Sequence, residues 1–561
     1  MTAAARRTPM REAQEQAGDP AGRWMGGGLA VLGLTPGEEV TEAQLRNLFG
    51  ERGRHPYADQ IEADRLAMGD SSKEAFKADA LGRRVTVTGV DFVFRPQPTI
   101  YLLWALGDEE TPREAAHERA IRRVLEWVED NGDGYREAVL PAPGADVAGK
   151  KGAGAVVVLY GSKSGLSTSK RAVITQNTAG VPGSAEAHDG FGGATATADL
   201  NRDGYADMVV SAPFEDTARG RDAGTVTVLW GGKNGLTSGT DLPATNPGAY
   251  YGIDVAALST GPGAATQVLV GGYEGSMRFA GPFTRSGTYG EAVENRDTAS
   301  VNSVALGDFA AGGLPDAVVV TVRLSELSGG QVYVNPVYAG AQQQGNGLIA
   351  ATGDVNGDGH DDLVVGDPDD PQGAADGALG GRLLVWYGSA RGIAWEAQPV
   401  RLTQNTPGVP GSSEKGDNFG ASLAVADLNR DGLEDIVVGS PLEDTSKANA
   451  GQVTVIPGRR TGSLGTGAYA YTQDTAGIPG TGETGDSFGT SVAVGDINGD
   501  GKPELFLSAA EENTATGAVW VLPGDTSGPT TRGSYLITAP SVGFSQRENT
   551  LLGGNGLLGV I

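Results

Sequence analysis

Residues 198–210 read ADLNRDGYADMVV. Numbered from the first acid, oxygen-bearing side chains fall at positions 1, 3, 5 and 9: Asp199, Asn201, Asp203 and Asp207. Tyr205, at position 7, offers a backbone carbonyl, and Gly204 permits the sharp turn that brings both ends of the loop toward one point. Hard divalent cations take such oxygens, roughly six to eight around Ca²⁺. The stretch leaves the loop through Met208-Val209-Val210, a β-branched exit that predicts a strand where an EF-hand would continue as a helix. The ion-free alternative is an Asx-turn hairpin, which fits poorly where three acids crowd together.

The stretch recurs, which points to a repeat architecture. Asp354, Asn356, Asp358, His360 (carbonyl) and Asp362 form a second full set, and Asp427, Asn429, Asp431, Leu433 (carbonyl) and Asp435 a third. Asp496, Asn498, Asp500, Lys502 (carbonyl) and Glu504 end on a longer acid. Glu129, Asn131, Asp133, Tyr135 (carbonyl) and Glu137 are substituted at both ends. Two degenerate copies start at Ser259 and Asp308. The first has no carboxylate and is expected to be metal-free; the second keeps only Asp308 and Asp316 and is expected to bind nothing well. Four or five Ca²⁺ sites are therefore expected.

The flanks repeat as well. QNTAGVPG begins at Gln176, QNTPGVPG at Gln404 and QDTAGIPG at Gln473, each glutamine 23 residues before its loop. Phe191-Gly, Phe419-Gly and Phe488-Gly each lie 8 residues before theirs. Seven units of 46–73 residues, each with about four short strands, predict an all-β fold: a seven-bladed β-propeller. The final stretch, GGNGLLGVI, resembles the inner strand before loop 354, so residues 553–561 are expected to complete the first blade and close the ring.

Composition agrees with a folded, turn-rich chain of 561 residues with 89 glycines, 29 prolines and no cysteine. Disulfides and thiolate metal sites are excluded. The net charge of −27 divides unevenly: residues 1–128 carry −3 and the remainder −24. Such a surface attracts cations and repels nucleic acid and anionic membranes, so nucleic acid is not expected as a partner. No apolar run reaches the roughly 18 residues of a membrane span, and the N-terminus lacks the apolar core of a signal peptide. As written, the chain is expected in the cytoplasm.

The charge break near 129 marks a domain boundary, with residues 1–20 expected to be disordered and 21–128 to form a small α/β fragment. A capping box at Thr111-Pro112-Arg113-Glu114 predicts a helix over 111–130, its apolar face set by Ala116, Ala120, Val124 and Val128. A shorter helix is expected over 40–50 and a strand over 84–94.

The combination of Phe-Gly, D-x-N-x-D-G-x-x-D and GSP or SAP resembles the FG-GAP repeats of the integrin α-subunit propeller and its bacterial relatives. That resemblance, over 129–561, implies Ca²⁺ in hairpin loops on one face, and adhesion or display of a protein or glycan ligand on the other, by an extracellular or cell-surface monomer without catalysis. Loops 214–223 and 442–450 would gather on the ligand face; their acids Glu215, Asp216, Glu443 and Asp444 read chiefly as a solvated rim. Some relatives with such repeats are attached to phospholipase domains.

GRWMGGGLAVLGL (22–34), VTEAQLRNLFG (40–50) and GVDFVFRPQPTIYLLWALGD (89–108) resemble the N-terminal region of conjugative relaxases. The resemblance implies a strand-nicking tyrosine near the start and a histidine-held metal. Here no tyrosine precedes Tyr57, and Pro98-Thr99 stands where the family has Lys-Ser. The four histidines, at 55, 117, 188 and 360, form no cluster. The fragment is accordingly read as truncated and inactive. The alternative to a non-catalytic propeller is an enzyme, either a propeller-associated hydrolase or this relaxase remnant.

Overall fold

The computed structural model describes residues 57–68 and, with short internal breaks, 137–554. The chain separates into two compact units, Met1–Gly132 and Asp133–Ile561. In the first unit the described element is a helix, Ala58–Ala67, which the sequence reading does not anticipate. The helices expected at 40–50 and 111–130 and the strand at 84–94 lie outside the described residues.

The second unit is a seven-bladed β-propeller. Six blades are four-stranded antiparallel meanders, and the first has three described strands, Glu137–Ala142, Ala155–Tyr160 and Arg171–Ile174. Blade 2 is typical of the others, running Thr195–Ala198, Asp207–Ala212, Thr225–Trp230 and Ser238–Leu242. Blades 3 to 7 begin at the strands Val255–Ser259, Val301–Gly307, Ile349–Gly353, Ser422–Ala426 and Phe488–Gly495. The repeated acidic loops join the first strand of a blade to the second, as the spacing predicts.

The two-residue period of a strand explains why the middle strands read as unbroken apolar runs. Successive side chains point to opposite faces, and each face of a blade meets a different neighbour. Val156 and Val158 pack against Met208 and Val210 of blade 2, while Val157 and Leu159 pack against Val519 and Val521 of blade 7. Each of the seven apolar clusters fills one seam between consecutive blades, and the seventh joins blade 7 to blade 1. The ring is therefore closed by side-chain packing.

The Phe-Gly pairs lie in these seams. Phe191, Phe419 and Phe488 are buried, and the backbone of each bridges a glycine of the preceding blade, Gly154, Gly381 and Gly451. The approach is so close that a Cβ on Gly154 would meet the backbone N and O of Phe191 at 2.3 Å. Gly154 also sits at φ +87°, so only glycine suits the position on both counts.

Closure of the first blade reuses this clasp. The Leu552 N–H donates to the Thr516 carbonyl, as Phe191 does to Ala153, and a Cβ on Gly517 would strike the Leu552 backbone at 2.3 Å. Gly553 N–H then donates to Pro141 O at 2.8 Å, matching the 2.8 Å bond from Gly192 to Ser211 in blade 2. Leu552-Gly553 thus stands in for the missing Phe-Gly of blade 1. This register sits four residues earlier than the match of GNGLL to GNGLI implies, because backbone pairing follows the clasp. The rest of the expected closing strand, 555–561, lies outside the described residues.

Leu552 is fully buried between blades 7 and 1. Leu552→Ala is expected to cost about 2–5 kcal/mol in chemical denaturation, the range for truncating a buried leucine. An unchanged midpoint would show that the seam does not need the C-terminal segment.

Candidate metal-loop face

The four complete loops share one hydrogen-bond pattern. The position 5 amide (Asp203, Asp358, Asp431 or Asp500) donates to the position 1 carboxylate at 3.0–3.2 Å. The same amide donates to the position 3 asparagine oxygen at 2.8–2.9 Å. The amide of the following glycine bonds the other oxygen of position 1 at 2.8–2.9 Å. Oxygens of positions 1 and 3 thus converge on a single N–H in every copy. The position 7 residues Tyr205, His360, Leu433 and Lys502 each donate their amide to the position 5 carboxylate.

This winding needs left-handed backbone at two places. Position 6 is glycine throughout, at φ +76° to +88°. Position 4 is also left-handed, and there two copies carry glycine (Gly357, Gly499) while two carry Arg202 (φ 60°) and Arg430 (φ 63°). A non-glycine residue in that region costs of order 1 kcal/mol or more, so the turn is held by its surroundings.

The position 9 acid is the buried anchor. Asp207 takes the amides of Leu200 (3.0 Å) and Asn201 (3.3 Å) on one oxygen and that of Gly231 (2.8 Å) on the other. Asp362 binds Val355, Asn356 and Gly388 in the same way, and Asp435 binds Leu428 and Gly458. Glu504 reaches Ile497 and the Asn498 amide group instead. In the three aspartate copies the acid therefore ties its own loop to the end of the blade's third strand. Burial pushes Asp207, Asp362 and Glu504 up to about 7 and Asp435 up to about 6, despite the amides. Asp199 is raised as well, first by burial.

Neighbouring loops interlock. Glu434 accepts the Asp354 amide at 3.0 Å, and Asp361 accepts that of Asp308 at 2.8 Å. Arg285 of blade 3 reaches Asp203 at 2.6 Å, and Arg460 of blade 6 donates to the Gly357 carbonyl at 2.6 Å. The sequence reading missed both arginines; they lie in third-to-fourth-strand turns with no motif of their own.

Among the described residues, no three acidic or histidine side chains close into a complete metal cage. The donor chemistry nonetheless fits a hard cation: converging carboxylate and amide oxygens, a free carbonyl at position 7, and buried acids with no full counter-charge. The Asp308 loop is self-sufficient, since Asp308 takes the Gly312 and Gly313 amides and Asp316 bonds Asn335. Glu137 apart, the Glu129 loop with Asn131, Asp133 and Tyr135 lies outside the described residues, as do 260–265 of the Ser259 loop.

The expected rim acids need correction. Glu215 and Glu443 are buried, not solvated, and accept the side-chain amides of Gln176 (2.6 Å) and Gln404 (2.5 Å). Asp216 and Asp444 remain exposed and close their own loops by accepting the amides of Asp222 and Asn449, each at 2.8 Å. Loops 214–223 and 442–450 share a face but belong to blades 2 and 6, so they do not gather.

The FG-GAP repeat model matches residues 191–229, 419–456 and 488–522, the segments that hold the clasp, the acidic loop and the two middle strands. The chain carries FG-GAP repeats. Integrin alpha-4 of Xenopus laevis is 31% identical over 138 residues, 24% of this chain and 13% of that protein. Integrin alpha pat-2 of Caenorhabditis briggsae is 28% identical over 235 residues, 38% of this chain and 17% of that protein. Phosphatidylinositol-glycan-specific phospholipase D of Mus musculus is 30% identical over 164 residues, 29% of this chain and 18% of that protein. The matched stretch is thus under a fifth of each relative. The TrwC relaxase model matches residues 7–153, running past the charge break and through the first described strand.

The raised acids fix a pH dependence for the metal-free protein. Between the unfolded carboxylate range and about 7 the folded state holds more protons than the unfolded one, so stability falls as pH rises. In a chelator, the denaturation midpoint is expected to be higher at pH 5 than at pH 7.5. Excess Ca²⁺ should stabilise more at pH 7.5, where the carboxylates are free to bind it.

Proposed function

We propose that the propeller is a Ca²⁺-binding, integrin-alpha-like module that displays a protein or glycan ligand site and does no chemistry itself. The observation that carries this reading is the repeated loop geometry: four copies hold the same oxygens on the same amides. Ca²⁺ would replace those amides as the partner of Asp199, Asn201 and Asp203, and of their counterparts in blades 5, 6 and 7. The Glu129 loop, with Asn131, Asp133, Tyr135 and Glu137, would be a fifth site. In this reading 129–561 is the propeller, 21–128 the relaxase-like fragment and 1–20 a disordered lead, and the chain is a monomer.

The ligand surface fits best on the opposite face, at the seam of blades 2 and 3. Phe214 and Tyr250 pack edge to face there, ring centroids 5.6 Å apart, and both stay about 40% exposed. Tyr273, in the next turn on that face, is also exposed. Exposed aromatic side chains supply contact area to protein partners and flat faces to sugars. The integrin relatives favour an extracellular or cell-surface setting. No described helix is long and apolar enough to cross a membrane, and the expectation of a cytoplasmic location finds no support in the fold.

An enzymatic second reading draws on two similarities, the phospholipase D relative and the relaxase match over 7–153, and the second is open to direct test. Incubating the full chain with supercoiled plasmid and Mg²⁺ or Mn²⁺ tests it, with no nicking expected. Nicking abolished by one substitution within residues 1–132 would transfer the function to that unit.

Calorimetric titration with Ca²⁺ tests the main reading. The loops are expected to take up four or five ions, each contributing about 2.7 kcal/mol of stability at a hundredfold excess over its Kd. Asp203→Ala should remove one ion, and absence of uptake would overturn the reading.

A further inference from the structure

The glutamines that open the repeat flanks have no role in the loop face. Each emerges at the other end of its blade. Gln176 follows the outer strand of blade 1, Gln404 that of blade 5 and Gln473 that of blade 6. Antiparallel alternation puts these positions on the face opposite the acidic loops. The three side chains are nearly sealed from solvent, with relative exposures of 4%, 2% and 2%.

Each glutamine meets the same two acids. Its amide nitrogen donates to a glutamate 39 residues on: Glu215 at 2.6 Å, Glu443 at 2.5 Å or Glu512 at 2.8 Å. Beside that glutamate lies an aspartate two residues before the clasp position, Asp189, Asp417 or Asp486. Asp189 lies near enough to Glu215, Asp417 to Glu443 and Asp486 to Glu512 for their like charges to act on one another. The aspartates are themselves buried and take one backbone amide each, from Glu186, Glu414 (2.6 Å) and Glu483 (2.7 Å).

The side-chain oxygen of all three glutamines has no partner. Exchanging the amide's nitrogen and oxygen does not help, because it would press that oxygen onto the glutamate. An unsatisfied buried carbonyl is destabilising, so the same loss at three corresponding places calls for a partner. A proton shared between the two acids would settle the carboxylates and leave the amide oxygen bare. A hard cation would satisfy all three groups and balance their two negative charges. The seam of blades 4 and 5 shows the alternative solution: buried Asp367 is neutralised from within the chain by Arg382 at 2.7 Å and bonded by Ser328.

We propose that the seams between blades 1 and 2, 5 and 6, and 6 and 7 each hold a divalent cation, Ca²⁺ by its oxygen ligands, between the glutamine oxygen and the paired carboxylates. These ions would join adjacent blades on the ligand face. They are distinct from any ions in the D-x-N-x-D loops, whose acids lie on the other face, and this inference does not rest on the loop reading.

The test counts bound Ca²⁺ on the full-length chain by native mass spectrometry. With the loops disabled by Asp203→Ala, Asp358→Ala, Asp431→Ala, Asp500→Ala and Asp133→Ala, three ions should remain, and adding E215Q, E443Q and E512Q should remove them. Because the fivefold variant is liable to misfold, E443Q is also made alone in the otherwise unchanged protein. Glutamine keeps the size of that side chain, and the count should fall by one. A count that E443Q leaves unchanged overturns the seam sites while leaving the loop sites standing; no uptake by the unaltered protein overturns both.

Discussion

Closure of the ring rests on one steric constraint. At most seams, a backbone segment of one blade lies directly on a glycine of the blade before it, in space that a single Cβ would fill. Gly154, Gly224, Gly381, Gly451 and Gly517 receive Phe191, Tyr251, Phe419, Phe488 and Leu552 in this way. The contact sets how near two sheets come, and nearness decides whether the alternating valines and leucines of the middle strands can fill the gap on both sides. The aromatic ring is less essential than the glycine beneath it: at the closing seam a leucine takes its place, held in left-handed backbone at Leu551 (φ 51°).

With the sheets fixed, the two faces of the ring divide the acidic residues. On one face the position 9 aspartates Asp207, Asp362 and Asp435 act as internal struts, each binding the start of its loop and the end of the blade's third strand, while Glu504 holds its own loop. They are structural groups whatever else occupies the loop. The position 5 acids are exposed, those at position 1 are half-buried or, at Asp496, buried, and both are turned onto amides that a cation would displace. Arg285 beside Asp203 is a built-in competitor for one of these loops, a surface pair of modest worth that an arriving ion has to outbid.

The opposite face combines an exposed aromatic patch at one seam with Gln-Glu-Asp groups at three others, buried at two and with Glu512 half-buried at the third. A scaffold stiffened at its seams suits a binding surface made of loops, because loops carry recognition while the frame limits the entropy lost on binding. The matched relatives use such repeats within much longer chains, and here the repeats share the chain with a relaxase-like N-terminal unit. Residues 1–128 carry a net charge of −3 and the rest −24, so the acidic surface belongs almost wholly to the propeller.

Much of this architecture is written in local spacing. The alternation of acids in ADLNRDGYADMVV, the glycine at position 6 and the β-branched exit determine a hairpin loop by themselves, because every contact involved spans fewer than ten residues. The constant offsets of Gln176 and Phe191 from Asp199, repeated in two further copies, determine the blade, and the seven loop starts give the number of blades. Tertiary structure alone decided what those flanking residues are for. Gln176 meets Glu215 across 39 positions, Arg285 meets Asp203 across 82, and Gly553 pairs with Pro141 across the whole ring. It also decided that Glu215 and Glu443 lie buried, and that closure begins at Leu552. Such pairings depend on how blades stack, and stacking is set by volume and close approach, which recurring residues mark along the chain without naming their partners.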